Sequence, residues 1–266
     1  MTEPDASAIS IGYDAVYSAW PRAVTLHRIW REHVLGSDFP AGFEHISFLS
    51  WSEFPRFAAA LRLEPGGKLA DLACGTGGPG LLVARDTHTS LTGVDFSSVG
   101  VARAVERAET VGLAQRAAFI VGTFSDTGLM DGSVDAAMSL DALQYAPNKA
   151  AAMIEIARIL RPGGRFAFTA FEMDTARVAD LPVAWPDPVE DYRDTLHSAG
   201  FVVEVYEQTE RWLERLTGAY SAVLAARDSL VQEMGEAAAN SLLFEMMLTL
   251  ERKPYHGRAL VVAVNG

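Results

Sequence analysis

The chain has 266 residues, 49% hydrophobic and 21% charged, with a formal net charge of −12, so it is long enough to bury a large core without metals or disulfides. That acidity argues against a broad nucleic-acid face, which needs clustered Lys and Arg. Cys74 is the sole cysteine, no apolar run is long enough to span a bilayer, and the acidic start MTEPDASAIS lacks the apolar stretch of a secretory signal; a reducing cytoplasmic setting fits.

Residues 12–35 carry Tyr13, Val16, Tyr17, Trp20, Val24, Leu26, Ile29 and Trp30 at near-helical spacing, punctuated by Pro21, which predicts two short helices. The stretch 36–49, GSDFPAGFEHISFL, reads as a connection, and 51–63 as an amphipathic helix ended by Pro65. From Lys68 short apolar runs alternate with helical patterns. Strands are expected at 68–73, 91–95, 117–121, 135–140 and 165–171, the last after a tight PGG turn, with helices at 79–86, 97–111 and 147–160. This alternation implies an α/β fold with a parallel sheet covered on both faces. The tail reads as a helix at 188–198, a strand at 201–207, two long helices at 208–234 and 235–252, and a last strand at 258–264. The expected organisation is an N-terminal helical cap (1–60), a nucleoside-binding core (61–207 and 257–266) and inserted lid helices (208–256). Insertions of that length between core elements are usually functional.

The segment 68–80, KLADLACGTGGPG, holds the most chemistry. Gly75, Gly77 and Gly80 satisfy G-x-G-x-x-G, where a backbone without Cβ lets an anionic group approach a helix N-terminus. A pyrophosphate or the carboxylate of an amino-acid-like cofactor both suit such a turn. Asp95 closes the second strand, placed to accept hydrogen bonds from vicinal ribose hydroxyls. Its other reading is a helix N-cap, which Ser97 or Ser98 supplies equally well. Asp71 sits inside an apolar strand four residues before Gly75. Burying it is costly unless it is hydrogen-bonded, so it either orders the loop or meets a cationic ligand group. S-adenosylmethionine carries both a sulfonium and an ammonium; a nicotinamide dinucleotide has no general need for an acid there.

DLACGTG resembles motif I of the class I S-adenosylmethionine-dependent methyltransferases, with Ala73 where that pattern usually has glycine. VDFS resembles the second motif, the stretch from Val121 to Tyr145 resembles the adenine-contacting segment and fourth strand, and LRPGGRFAFT the turn into strand five. The resemblance covers roughly residues 60–172. It implies a Rossmann-like, seven-stranded, mostly parallel sheet with an antiparallel last strand, plus a helical lid. It also implies S-adenosylmethionine as cofactor, held by Asp71, Ala73, Gly75, Gly77, Asp95, Phe96, Thr123, Phe124 and Leu140, with Tyr17 closing over it. Thr123 stands where many relatives use an Asp for the adenine amino group. The flanks resemble the small-molecule, natural-product branch, including sugar O-methyltransferases and terpene-diphosphate C-methyltransferases. FEHISFLSW falls where relatives carry His-x-Gly-Tyr, and His45 matches the histidine.

Methyl transfer from a sulfonium is an in-line displacement in which the protein supplies alignment, desolvation and sometimes a base. Glu172, expected at the carboxyl edge of strand five, and His45 are the candidate catalytic residues; Asp141, Gln144 and Tyr145 follow strand four at the same edge. No His/Cys/Asp cluster has metal-ligand spacing. The expected activity is methylation of a small, largely apolar acceptor in secondary metabolism, with oxygen or carbon favoured as acceptor atom and nitrogen left open. The expected partner is that acceptor, with no nucleic acid or membrane, and a homo-oligomer is left open. Two alternatives also stay open at this point: an NAD-dependent oxidoreductase and a non-methylating protein that retains the cofactor fold.

Overall fold

The computed structural model describes residues 6–179, 181–182 and 185–266. Helix α1 (Ala6–Ala19) ends at a 3₁₀ turn over Trp20–Arg22, where Pro21 forces the break, and α2 (Val24–Trp30) follows. The expected pair of helices is thus present, and the second runs on as a π-helical turn (Arg31–Leu35) until Gly36, at φ +93°. Helix α3 (Phe54–Ala60) is shorter than its apolar pattern implied.

The core then alternates as the hydrophobic periods require. It runs β1 (Lys68–Leu72), α4 (Gly78–Thr87), β2 (Ser90–Asp95), α5 (Ser98–Thr110), β3 (Ala117–Val121), β4 (Val134–Leu140), α6 (Lys149–Ile159) and β5 (Leu160–Met173). Two short helices, α7 (Thr175–Val178) and α8 (Arg193–Ser198), precede β6 (Phe201–Gln208), and β7 (His256–Asn265) ends the chain. The sheet order is β3-β2-β1-β4-β5-β7-β6. Pairs among the first five strands are parallel; β7 lies antiparallel between β5 and β6. β5 begins before the expected PGG turn: Leu160 pairs with Val134 and Arg165 with Ala136, so the RPGG segment loops out, with Gly163 at φ +74°. Strand order reverses between β1 and β4, and the crevice at the carboxyl ends of such strands is where open α/β sheets bind ligands.

Between β6 and β7 the structure has three helices rather than two: α9 (Trp212–Ala225), α10 (Arg227–Met234) and α11 (Glu236–Arg252). The apolar period runs through 208–234 without Gly or Pro at the break, so the kink at Ala226 leaves no sequence signal; β6 also takes Gln208, expected to open the helix. These helices pack onto α1 and α2. A Cβ on Gly12 would lie 2.5 Å from Ser241 Oγ, and one on Gly218 2.9 Å from His33 Nδ1, so missing side chains set both crossings. Glu233 of α10 accepts from Thr25 N (2.9 Å) and Thr25 Oγ1 (2.7 Å), satisfying an open N–H at the start of α2. No described helix is long and apolar enough to cross a membrane.

Candidate active site

The glycine turn follows β1 directly. Three consecutive alternate residues adopt left-handed backbone: Ala73 at φ +59°, Gly75 at +53° and Gly77 at +78°. Glycine does this freely, whereas Ala73, which replaces the glycine of the family pattern, is strained there. Gly75 has a second constraint, because a Cβ would stand 2.8 Å from Tyr17 Oη. Tyr17 therefore lies over the turn. Gly77 packs toward Ala104 and Phe119 rather than lining the cavity. The space a Gly80 Cβ would fill is held by the Asp71 carboxylate.

Asp95 sits at the tip of β2 with its Oδ2 accepting from Gly75 N (2.8 Å) and Oδ1 from Ser97 N (2.9 Å). The α5 N-cap is Ser97, whose Oγ accepts from Gly100 N (2.9 Å). Asp95 is therefore free of capping, reaches the cavity and keeps lone pairs for a ligand. Burial raises its pKa to about 6, against the Ser97 and Gly75 N–H groups, with Asp14 nearby adding to the rise. Burial, and then the nearby Asp95 charge, raises Asp71 to about 8. Asp71 Oδ2 is buried without a partner at the cavity wall. An orphaned acceptor beside a strained glycine turn and a carboxylate at the next strand tip fits a cofactor that brings an ammonium and a ribose.

The cavity, of about 350 Å³, spans from this turn to the helices above it. Phe96, Thr123, Phe124 and Leu140 line it where the family pattern places adenine and methionyl contacts. Thr123 Oγ1 accepts from Asp126 N (3.1 Å), so its hydroxyl already closes its own turn. The upper wall is aromatic: Phe48 lies 5.5 Å from both Trp30 and Tyr220, and 5.8 Å edge-on from Phe171, which stacks on Trp185 at 5.3 Å. His45 lines this cavity with Nδ1 2.9 Å from Ser47 Oγ and Nε2 unpartnered. Burial holds it down to about 3, so it is a neutral, weakly basic imidazole.

Glu172 is a correction. Strand side chains alternate between faces; Phe171 takes the cavity face, so Glu172 points away from it and does not line the cavity. There it accepts from Tyr206 Oη and from Gln208 Nε2, both on β6. Burial raises its pKa and those bonds oppose the rise.

Two features were not read from the sequence. Asp141, at φ +49° after β4, receives Arg258 Nε (2.8 Å), Arg258 Nη2 (2.9 Å) and Phe48 N (2.6 Å). This fully buried ion pair ties β4, β7 and the 36–51 segment at the site's edge. The second is Glu245 on α11, which lines the cavity and accepts from Tyr145 Oη; Tyr13 Oη donates to Tyr145 Oη at 2.9 Å. Its signal was present: a lone acid inside SLLFEMML, with three apolar residues on each side of it in the chain.

Comparison with known proteins accords with this geometry. Residues 70–168 match the family model described as "Methyltransferase domain". The chain carries a class I methyltransferase domain, and its cofactor is S-adenosylmethionine. The enzyme is 27% identical to 27-O-demethylrifamycin SV methyltransferase of Amycolatopsis mediterranei (strain S699), over 99% of this chain and 98% of that protein. It is 36% identical to Squalene methyltransferase 1 of Botryococcus braunii, but over 42% of this chain and 30% of that longer protein. In fold it is similar to the [4+2]-cyclase SpnF, with a TM-score of 0.77 at 24% identity over 99% and 97% of the two chains. It is also similar to geranyl diphosphate C-methyltransferase from Streptomyces coelicolor A3(2), with a TM-score of 0.62 at 16% identity over 81% and 80%.

Proposed function

We propose that the methyltransferase acts on a hydroxyl of an uncharged, mostly apolar small molecule of secondary metabolism, enclosed by a lid built from the described part of 1–60 and from 208–256. One observation carries this reading: among the described residues the upper cavity wall is mainly aromatic, and no Lys or Arg lines the cavity. An acceptor diphosphate would be buried there without counter-charge, which is costly. No group of three or more metal-ligating side chains exists among the described residues to offset it. The near full-length likeness to 27-O-demethylrifamycin SV methyltransferase supports oxygen as acceptor atom.

Bound S-adenosylmethionine supplies an electrophilic methyl group on a sulfonium sulfur. Asp95 would hold the ribose, Asp71 and the 73–77 turn the amino-acid end, and Tyr17 would cover it. Phe48, Phe171 and Tyr220 would exclude water from the acceptor and fix its orientation. The aromatic faces also favour a second reading, carbon methylation through a cation held over the rings. The experiment is methyl transfer from labelled S-adenosylmethionine to 27-O-demethylrifamycin SV, simpler polycyclic phenols, squalene and geranyl diphosphate. The expected product is a methyl ether of a hydroxylated member; transfer to geranyl diphosphate alone would refute the reading.

A further inference from the structure

We propose that Glu245, reached through the phenol of Tyr145, is the base that takes the acceptor's hydroxyl proton, an inference that rests on the O-methylation reading. Glu245 lines the cavity although it belongs to an inserted helix, and the groups facing it are Tyr145 after β4, Tyr13 on α1, Tyr220 on α9 and Trp185. None is a cation, and no described salt bridge includes Glu245. A carboxylate buried among phenols without counter-charge is expensive for a role that is only structural, since an amide would accept the same phenolic hydrogen bond. Burial raises its proton affinity, against hydrogen bonds from Tyr145 and Trp185, and a carboxylate of raised proton affinity is a better proton acceptor. The competing groups are worse placed or weaker: Glu172 is on the other face of β5, and His45 is held near 3.

Tyr145 gives its one proton to Glu245, so its oxygen is an acceptor toward the cavity, a position Tyr13 Oη holds at 2.9 Å. An acceptor hydroxyl that takes Tyr13's place completes a relay. The hydroxyl proton passes to Tyr145 Oη as the Tyr145 proton passes to Glu245. The freed oxygen lone pair bonds the methyl carbon while the C–S electron pair stays on sulfur. One sulfonium charge and one carboxylate charge are lost together, leaving an ether, a thioether and a carboxylic acid.

The test is Glu245→Gln, which keeps an acceptor for Tyr145 but cannot take the proton, beside Tyr145→Phe, which removes only the phenolic oxygen. Both are titrated calorimetrically with S-adenosylhomocysteine, then assayed with 27-O-demethylrifamycin SV or whichever hydroxylated acceptor the wild type methylates. The expected result is S-adenosylhomocysteine affinity within about twofold of wild type, kcat lower by about 10²–10⁴-fold in Glu245→Gln, and loss of the acid limb of the wild-type pH profile. Tyr145→Phe gives a comparable loss. Turnover within about threefold of wild type in both variants overturns the relay and leaves the O-methylation reading standing. A wild type that methylates only carbon acceptors overturns both.

Discussion

Replacing Arg258 with Met isolates the buried ion pair at the edge of the site. Arg258 is fully buried, and Asp141 is only 4% exposed at its side chain. The wild-type carboxylate accepts two guanidinium N–H groups at 2.8 and 2.9 Å and the Phe48 N–H at 2.6 Å. Arg258→Met removes the first two and, among the described residues, the one cation paired with Asp141, leaving an anion in a buried setting with one donor. Breaking such a pair from one side costs about 3–5 kcal/mol. At about 2 °C per kcal/mol for a chain of this size, Tm falls by about 6–10 °C. Removing both charges, as in Asp141→Asn with Arg258→Met, leaves no uncompensated ion, so the double variant loses less than the sum of the two single ones. Scanning calorimetry of the four proteins reads the cycle. A single variant within about 2 °C of wild type, or a double variant at the additive sum, would refute the argument.

Two further outcomes follow from the glycine turn. Ala73→Gly relieves left-handed strain at φ +59° and stabilises by about 0.5–1 kcal/mol once the glycine's extra unfolded-state freedom is subtracted; thermal unfolding checks it, and a clear drop in Tm contradicts it. Asp71→Asn changes how stability varies with pH. Burial, with the nearby Asp95 charge adding and the Gly80 backbone N–H opposing, raises folded Asp71 to about 8 from an ordinary 3.8. The folded state thus holds this proton over a window in which the unfolded chain has lost it, so its stabilising effect is complete below pH 3.8 and lost as pH rises through 8. Asn has no such loss, so wild type falls relative to Asp71→Asn between pH 5 and 8.5. Urea unfolding at both values measures this, and a constant difference contradicts the buried, proton-holding state of Asp71.

The parallel core was legible because its signals are local. Each strand from 68 to 173 is built on a short, mostly apolar run bounded by Gly, Pro or a capping residue, and β4, central between β1 and β5, is almost wholly buried. Asp71, Gly75, Asp95 and Tyr17 converge because three lie on the β1–β2 half-unit and the fourth on the helix laid over it. What stayed illegible is set by parity or by distance. Glu172 was placed correctly at the carboxyl edge, but only the register of β5 against β7, with Glu172 opposite Gly257, decides which face it takes. Asp141 and Arg258 meet across 117 residues of chain, and Tyr145 and Glu245 across 100; no periodicity reports such pairs. The α9–α10 break at Ala226 lacks both Gly and Pro, so tertiary packing, not propensity, decides it.

The central claim, that the cofactor's ribose is held by Asp95 above the glycine turn, is tested most directly by calorimetric titration of S-adenosylhomocysteine into wild type and Asp95→Ala. The account predicts saturable binding to the wild type and a folded variant weakened by about 1.5–3 kcal/mol, the scale of hydrogen bonds to a charged group, or roughly 10–150-fold in Kd. Equal affinity in the two proteins, or a wild type that binds NAD and not S-adenosylhomocysteine, would contradict it.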